Sequence, residues 1–391
     1  MRFAASLSTH PDAPTAVGEI VGELLEALGE APDVCMVFVS GEHALRLDEI
    51  CGVIRSLTRV GVFIGAAARG TIGGVRQIVE APAISVWAAL TDAATPLRLT
   101  IELDGREAVV KGIDHEHLDQ SAALVLLSEA AFPLDPVLTV LGERHPHLAV
   151  VGGVADSRGS SNPRFVVDDD VFVDGAIGLL LGPSDTTAAI TSQGAWPVGE
   201  PMVVTDCDGS TLRSLAGRPA TDHVDNIVLG SDRRLSDDGL DRTNHIEGVD
   251  LGDHWADADP DTIRRHLRLG VVREEHDSSY TASDFVVYPL GLVDRLARTI
   301  DVDADIDTGT IVQFHLAERS PSGAGLATAL GYGGGSSALV FGSPHTGEAA
   351  GLFERGIDTI AGMVCDRQIG PIGRHPGRPH LFKASNTALI L

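Results

Sequence analysis

The 391 residues exceed what one ordinary core accommodates and point to two domains, each large enough to bury its own. Apolar residues make up 43% of the chain, a globular share, yet no run reaches the roughly 18 apolar residues of a membrane span. Net charge is −26, from 55 acids against 29 bases, of which only Lys111 and Lys383 are lysines. A nucleic-acid binder carries a basic face, so that class is excluded. Self-repulsion on this scale is tolerable in concentrated salt, where the Debye length falls to about 3 Å, and the composition predicts a salt-adapted protein.

In chain order, Met1–Ser8 has too short an apolar run for a signal peptide, so a cytoplasmic protein is expected. Val17, Ile20, Val21, Leu24, Leu25 and Leu28 recur at helical spacing, with Pro14 and Thr15 at the start and Gly29 at the end. Val34–Val39 reads as a buried strand, Leu45–Leu57 as a helix and Val60–Ile64 as a second strand. Asp114-His-Glu-His117 carries metal-capable side chains at a spacing that suits a metal only on a strand, and it is expected to be a solvated loop. The rhythm recurs as strand Ala122–Leu127, helix Pro133–Glu143, and strand Leu148–Val151, with His145-Pro-His147 at the helix terminus.

After Gly152 the segments Arg164–Val167, Val171–Asp174, Ala176–Leu181 and Thr187–Thr191 read as an antiparallel meander. Residues Gly230–Pro260, dense in Asp, Gly and Arg, read as a surface insertion. Strand and helix signals resume at Gly270–Arg273, Asp284–Tyr288, Gly291–Ala297, Thr310–Leu316 and Ser337–Phe341, with a helix over Ala349–Ile360 and a terminal hairpin. The expected fold is α/β of mixed α+β character: helix-covered mixed sheets in N- and C-terminal halves.

No C-x-x-C pair, G-x-S-x-G elbow or triad spacing is present, so enzyme chemistry has no positive support and neither metal nor cofactor is expected. Gly331–Gly335 sits between helix and strand in the order opposite to a dinucleotide fingerprint. The stretch Cys365–Ser385 is more suggestive. Gly370, Pro371 and Gly373 predict a sharp turn with amides aimed at a ligand, Cys365 a thiol at a cleft mouth, and Arg367, Arg374, Arg378 and His380 a local basic loop suited to an anion.

Two patterns carry a family resemblance. Gln368-Ile-Gly-Pro-Ile-Gly373 followed by His380-Leu-Phe-Lys-Ala-Ser385 resembles the G-E-I-G-P-V-G and H-G-F-T-A-S signature of FIST domains, the F-box and intracellular signal transduction family. Thr191-Ser-Gln-Gly194 through Pro197, Gly199 and Thr205 is similar to the family's S-Q-G-x-x-P-I-G segment, and Gly309–Glu318 to its G-x-x-V-x-F-H-x-R-D strand. The resemblance implies an N-terminal FIST part over 30–221, a C-terminal part over 222–375 and a terminal strand to 391. It further implies a sensory module that binds a small ligand, an amino acid or other anionic metabolite, between its halves. The signal would pass to a separate protein.

The residues expected at that ligand are Cys365, Gln368, Gly370, Pro371, Arg378, His380, Ser385, Gln193 and Gly194. Departures stand out: Gln368 replaces the pattern's glutamate, and Leu381 and Lys383 fill places that are small and hydroxylic in the family. A cleft enzyme using Cys365 or His380, and a ligand-free interaction scaffold, are the competing readings.

Overall fold

The computed structural model describes the whole chain except residues 92, 105–106, 156–163, 184–185, 236–254, 256–257, 274–279, 282–283, 319–323, 332, 345–348, 373–376 and 384. Most of the expected insertion Gly230–Pro260, Gly373 and Arg374 of the basic loop, and part of Gly331–Gly335 lie outside the described residues. Both helices and strands are abundant and the sheets are mixed, so the fold is of the expected α+β kind. Two compact units form. The first combines Met1–Ser192 with Pro321–Leu391, and the second is Gln193–Ser320.

The first unit holds three sheets around one shared core. One has the strand order Arg2–Ser8, Ala83–Leu90, Val34–Ser40, Val62–Ala67, Phe165–Val167, Asp170–Phe172. The second runs Pro379–Lys383, Arg367–Pro371, Ala149–Val154, Ala123–Ser128, Ala176–Leu181, Ala94–Asp104, Glu107–Lys111. The third runs Ala188–Ser192, Asn386–Ile390, Ser337–Gly342, Thr359–Val364, Gly70–Gly73, Arg76–Val79.

Their inner faces meet in a single cluster, with Met36, Phe38 and Trp87 from the first, Val125, Leu127 and Ile177 from the second, and Leu339, Phe341 and Met363 from the third. Trp87 Nε1 donates to Ser337 Oγ at 2.8 Å, and Phe38 packs edge-on against Phe341. These contacts stitch the first sheet to the third and satisfy the indole N–H that burial would otherwise strand.

Helices cover the outer faces. Ala13–Leu28 and Leu47–Thr58 bury Ile20, Leu24, Ile50 and Ile54 on the first sheet. Asp12 caps the first of these by accepting from the Thr15 amide, and Gly29 closes it at φ 74°, a conformation glycine adopts without a Cβ penalty. Leu134–Arg144 covers the second sheet through Val137, Leu138 and Leu141. Ala324–Leu330 and Ala349–Glu354 lie against the third.

The second unit is built on one antiparallel sheet in the order Ala195–Asp208, Ile311–Ala317, Leu267–Val272, Phe285–Asp294, Thr299–Val302, Thr211–Leu215, Arg218–Pro219. Ala195–Asp208 also pairs with Thr211–Leu215, so the sheet closes on itself and leaves few edges. The helix Ala220–Leu235 places Val224, Ile227 and Val228 in the same core as Phe314 and Leu316.

Four local expectations are corrected. Asp114–His117 opens a short helix, His115–Gln120, because the Asp114 carboxylate accepts from the Glu116 and His117 amides and caps it. Gly291–Ala297 is not a separate element: Phe285–Asp294 is one strand and the residues after it turn. The helix begun at Ala349 stops at Glu354, since Gly356 takes φ 85° and Thr359–Val364 is extended. Gly370 and Pro371 do not form a turn; they lie inside the strand Arg367–Pro371, where Gly370 is opposite His380.

Candidate functional site

The terminal segment crosses between sheets twice. The chain leaves the third sheet after Val364, passes through Cys365 and enters the second sheet at Arg367. It returns along Pro379–Lys383 and crosses back at Ser385 to the strand Asn386–Ile390. Both crossings are joined by one side chain. Gln368, wholly buried, accepts at Oε1 from the Ser385 amide at 3.0 Å and from Ser385 Oγ at 3.2 Å. Its Nε2 donates to the Cys365 carbonyl and lies 3.7 Å from Cys365 Sγ.

An amide is the group this position requires, because one end must accept from an N–H while the other donates to a C=O. An ionised glutamate, acceptor only, could not make the bond that Nε2 donates to the Cys365 carbonyl.

Close backbone approach completes the arrangement. A Cβ on Gly153 would stand 2.5 Å from Cys365 Sγ, and one on Gly370 would overlap Thr191 Oγ1 and the Thr387 side chain. Gly370 therefore serves the packing of the second sheet on the third. Thr191 and Thr387 are direct partners across the Ala188–Ser192 and Asn386–Ile390 strands. Cys365 and Ser385 are fully buried, as are Gly370 and Pro371. Arg378 is exposed, and His380 is half-buried with its ring 5.1 Å edge-on from Phe382. The structure thus brings Cys365, Gln368, Gly370 and Ser385 together inside the first unit, and sets Arg378 and His380 toward the solvent end of the same hairpin.

Gln193 and Gly194 belong to the second unit. Gln193 Nε2 donates to the Phe285 carbonyl and its Oε1 accepts from the Val287 amide, both at 2.7 Å, so both ends of its amide tie down one strand. Gly194 takes φ 54°, and its carbonyl accepts from the Glu318 amide at 2.8 Å.

His315 was not singled out from the sequence, although it lies in the quoted Gly309–Glu318 segment. It is fully buried on the face of its strand opposite Phe314 and packs edge-on against Phe285 at 5.4 Å. Gly270 leaves the ring its space, since a Cβ there would meet His315 Nδ1 at 2.7 Å. His315 Nδ1 donates to the Gln313 carbonyl at 3.1 Å, which leaves Nε2 as a lone pair without a partner. Burial holds the ring neutral and lowers its pKa to about 4. The signal available in the sequence was a histidine alternating with core residues on a strand, which does not distinguish a satisfied core imidazole from a functional one.

Comparison with known proteins bears out the resemblance over the N-terminal segment. Residues 33–218 match the model of the FIST N domain. The chain carries a FIST N domain over these residues. An uncharacterized protein of Mycobacterium bovis is similar at 27% identity, over 100% of this chain and 99% of its own. An uncharacterized protein of Mycobacterium tuberculosis is 26% identical over 84% of this chain and 80% of its own. FIST domains form a family of sensory, signal-transduction domains. Among the described residues no helix is long and apolar enough to cross a membrane.

Proposed function

We propose that this FIST-domain chain is a small-molecule sensor whose ligand is an anionic metabolite, an amino acid or another small carboxylate, and that it hands its signal to a separate protein. The observation that carries this reading is the FIST N match over 33–218. The geometry of the terminal hairpin supports the choice of ligand. In a chain of net charge −26, the hairpin end carries Arg378 and His380 on a base fixed by Gln368. A guanidinium held on a rigid support recognises a carboxylate with two parallel hydrogen bonds. In this reading Arg378 and His380 contact the ligand, with Pro371 beside them, while Cys365, Gln368, Gly370 and Ser385 hold the hairpin. Gln193 and Gly194 hold the corresponding segment of the second unit.

We further place the protein in a cytoplasm of high salt, and assign 30–221 and 222–375 as its FIST N and FIST C segments, which cut the chain differently from its compact units. A thermal-shift panel of amino acids, organic acids and nucleotides tests the reading. A ligand at 100 times its dissociation constant adds about 2.7 kcal/mol of stability. Carboxylates should raise the transition by several degrees; a panel in which no carboxylate shifts the folded protein would remove the sensor reading in favour of a scaffold.

A further inference from the structure

Two helices on the outer face of the second sheet meet through a run of hydrogen bonds that the sensor reading does not use. His145, 3% exposed, follows the helix Leu134–Arg144, and His115 begins the helix His115–Gln120. His145 Nδ1 is 2.8 Å from Asp119 Oδ1. His145 Nε2 is 2.8 Å from His115 Nδ1, and Arg144 Nη1 is 3.3 Å from His115 Nε2.

The two ends fix every proton between them. An ionised carboxylate only accepts, so His145 Nδ1 donates to Asp119 and, in the neutral ring, Nε2 accepts. His115 Nδ1 must then donate to His145, leaving His115 Nε2 to accept from the guanidinium, which only donates. The ring planes are within 20° of parallel with centroids 5.1 Å apart, and facing nitrogens at 2.8 Å make this an edge-to-edge contact. Their facing nitrogens therefore point along one line and do not converge on a common point, which argues against a shared metal ion and for a shared proton.

We propose that this run is an acid-sensitive latch that fastens the helix His115–Gln120 to the end of Leu134–Arg144. Wherever one added proton enters, the imidazole contact survives only with an N–H on His115 Nε2, directed at the Arg144 guanidinium. A second added proton sets N–H against N–H at the 2.8 Å contact. Two added protons therefore remove the hydrogen bond that joins the two helices.

The surrounding charges are mixed. Asp114, Glu116 and His117 lie at the start of the first helix, with His117 Nδ1 2.7 Å from Asp114 Oδ2. Glu143 precedes Arg144, and His147 Nε2 lies 3.4 Å from the Leu118 carbonyl. From the neighbouring hairpin come Arg378 and His380, next to Gly377, where a Cβ would overlap the Pro146 carbonyl. The acids favour proton uptake and the arginines oppose it. Opening the latch loosens the ground on which Gly377 rests, whether or not a ligand binds there.

Long-range proton–nitrogen spectra of the full chain, with histidine-assigned variants, test the latch at its root. At about pH 7.5 both His115 and His145 should carry their proton on Nδ1; an Nε2–H form of either would overturn the proposal. Amide exchange of Leu118 and Ser121, corrected for intrinsic rates, should quicken about tenfold between about pH 7.5 and about pH 5, the span in which imidazoles ordinarily titrate. His115→Gln, at a half-buried position, should fold and lose that step. Unchanged protection in the parent, or the same step in the variant, contradicts the latch.

Discussion

Gln368 shows how much one side chain can decide. Replacing it with leucine removes its bonds to the Ser385 amide and the Cys365 carbonyl, at about 1–3 kcal/mol for each buried group left unmet. Chemical denaturation should record a loss of about 3 kcal/mol for Gln368→Leu, and a loss below 1 kcal/mol would mean that the hairpin does not depend on this amide. Gln368→Glu is more informative. In its protonated form the carboxylic acid can donate to Cys365, so burial should raise its folded pKa above the ordinary glutamate value of about 4.3. A raised folded pKa places its stability at low pH and removes it as pH climbs, so this variant should be most stable, relative to the parent, in acid. A variant equally stable relative to the parent at all pH values would contradict the account of the site.

His315 acts in the opposite sense. Its folded pKa of about 4 lies below the ordinary 6.5, so its contribution is fully present above about pH 6.5 and declines as pH falls toward 4. The full shift corresponds to roughly 3 kcal/mol. His315→Leu should flatten this part of the pH–stability profile, and an unaltered slope would show that the buried imidazole is not what titrates. None of this was readable from spacing: Gln368 and Ser385 are 17 residues apart, and His115 and His145 are 30 apart. Only the packing of sheets and helices brings them together.

At the scale of elements, legibility followed apolar density. Val34–Ser40 and Ala176–Leu181 are buried throughout, and their continuous apolar runs announced them. The helix Ala13–Leu28 has both a clear stripe and both caps. Ala83–Leu90 escaped notice despite its apolar run, while other missed strands lack those signals. Gly70–Gly73 is half glycine, and Arg2–Ser8 alternates small residues with few large ones. Ala195–Asp208 contains Pro197, Gly199 and Pro201, which read as breakers; the ladder accommodates them by shifting register between Val198 and Met202. Gly370 misled for a related reason, because glycine beside proline signals a turn while this one answers a close approach of two sheets. Gly370→Ala should therefore cost about 2 kcal/mol by overpacking against Thr191 and Thr387, measured as a lowered unfolding midpoint. A neutral outcome would mean that the sheets have room to part.

Across the whole molecule, charge and architecture bear on different questions. The described ion pairs join arginines or histidines to carboxylates, and several are solvent-exposed, such as Arg213 with Asp208 and Arg298 with Asp222. Exposed pairs of this kind each contribute little, so they do not offset a net charge of −26. Raising KCl from about 0.1 M to about 2 M should increase the melting temperature by screening self-repulsion, and a flat response would defeat the salt-adapted reading. The likeness to the mycobacterial relatives extends along the chain, so the sensor reading is a claim about the complete fold, with its most specific commitment at Arg378.

Titration calorimetry of one carboxylate hit against the parent and Arg378→Ala tests that commitment most directly. Loss of at least about tenfold in affinity, roughly 1.4 kcal/mol, with an unchanged melting temperature of the unliganded variant, is the predicted result. Full affinity in a folded Arg378→Ala protein would contradict it and move the ligand away from the terminal hairpin.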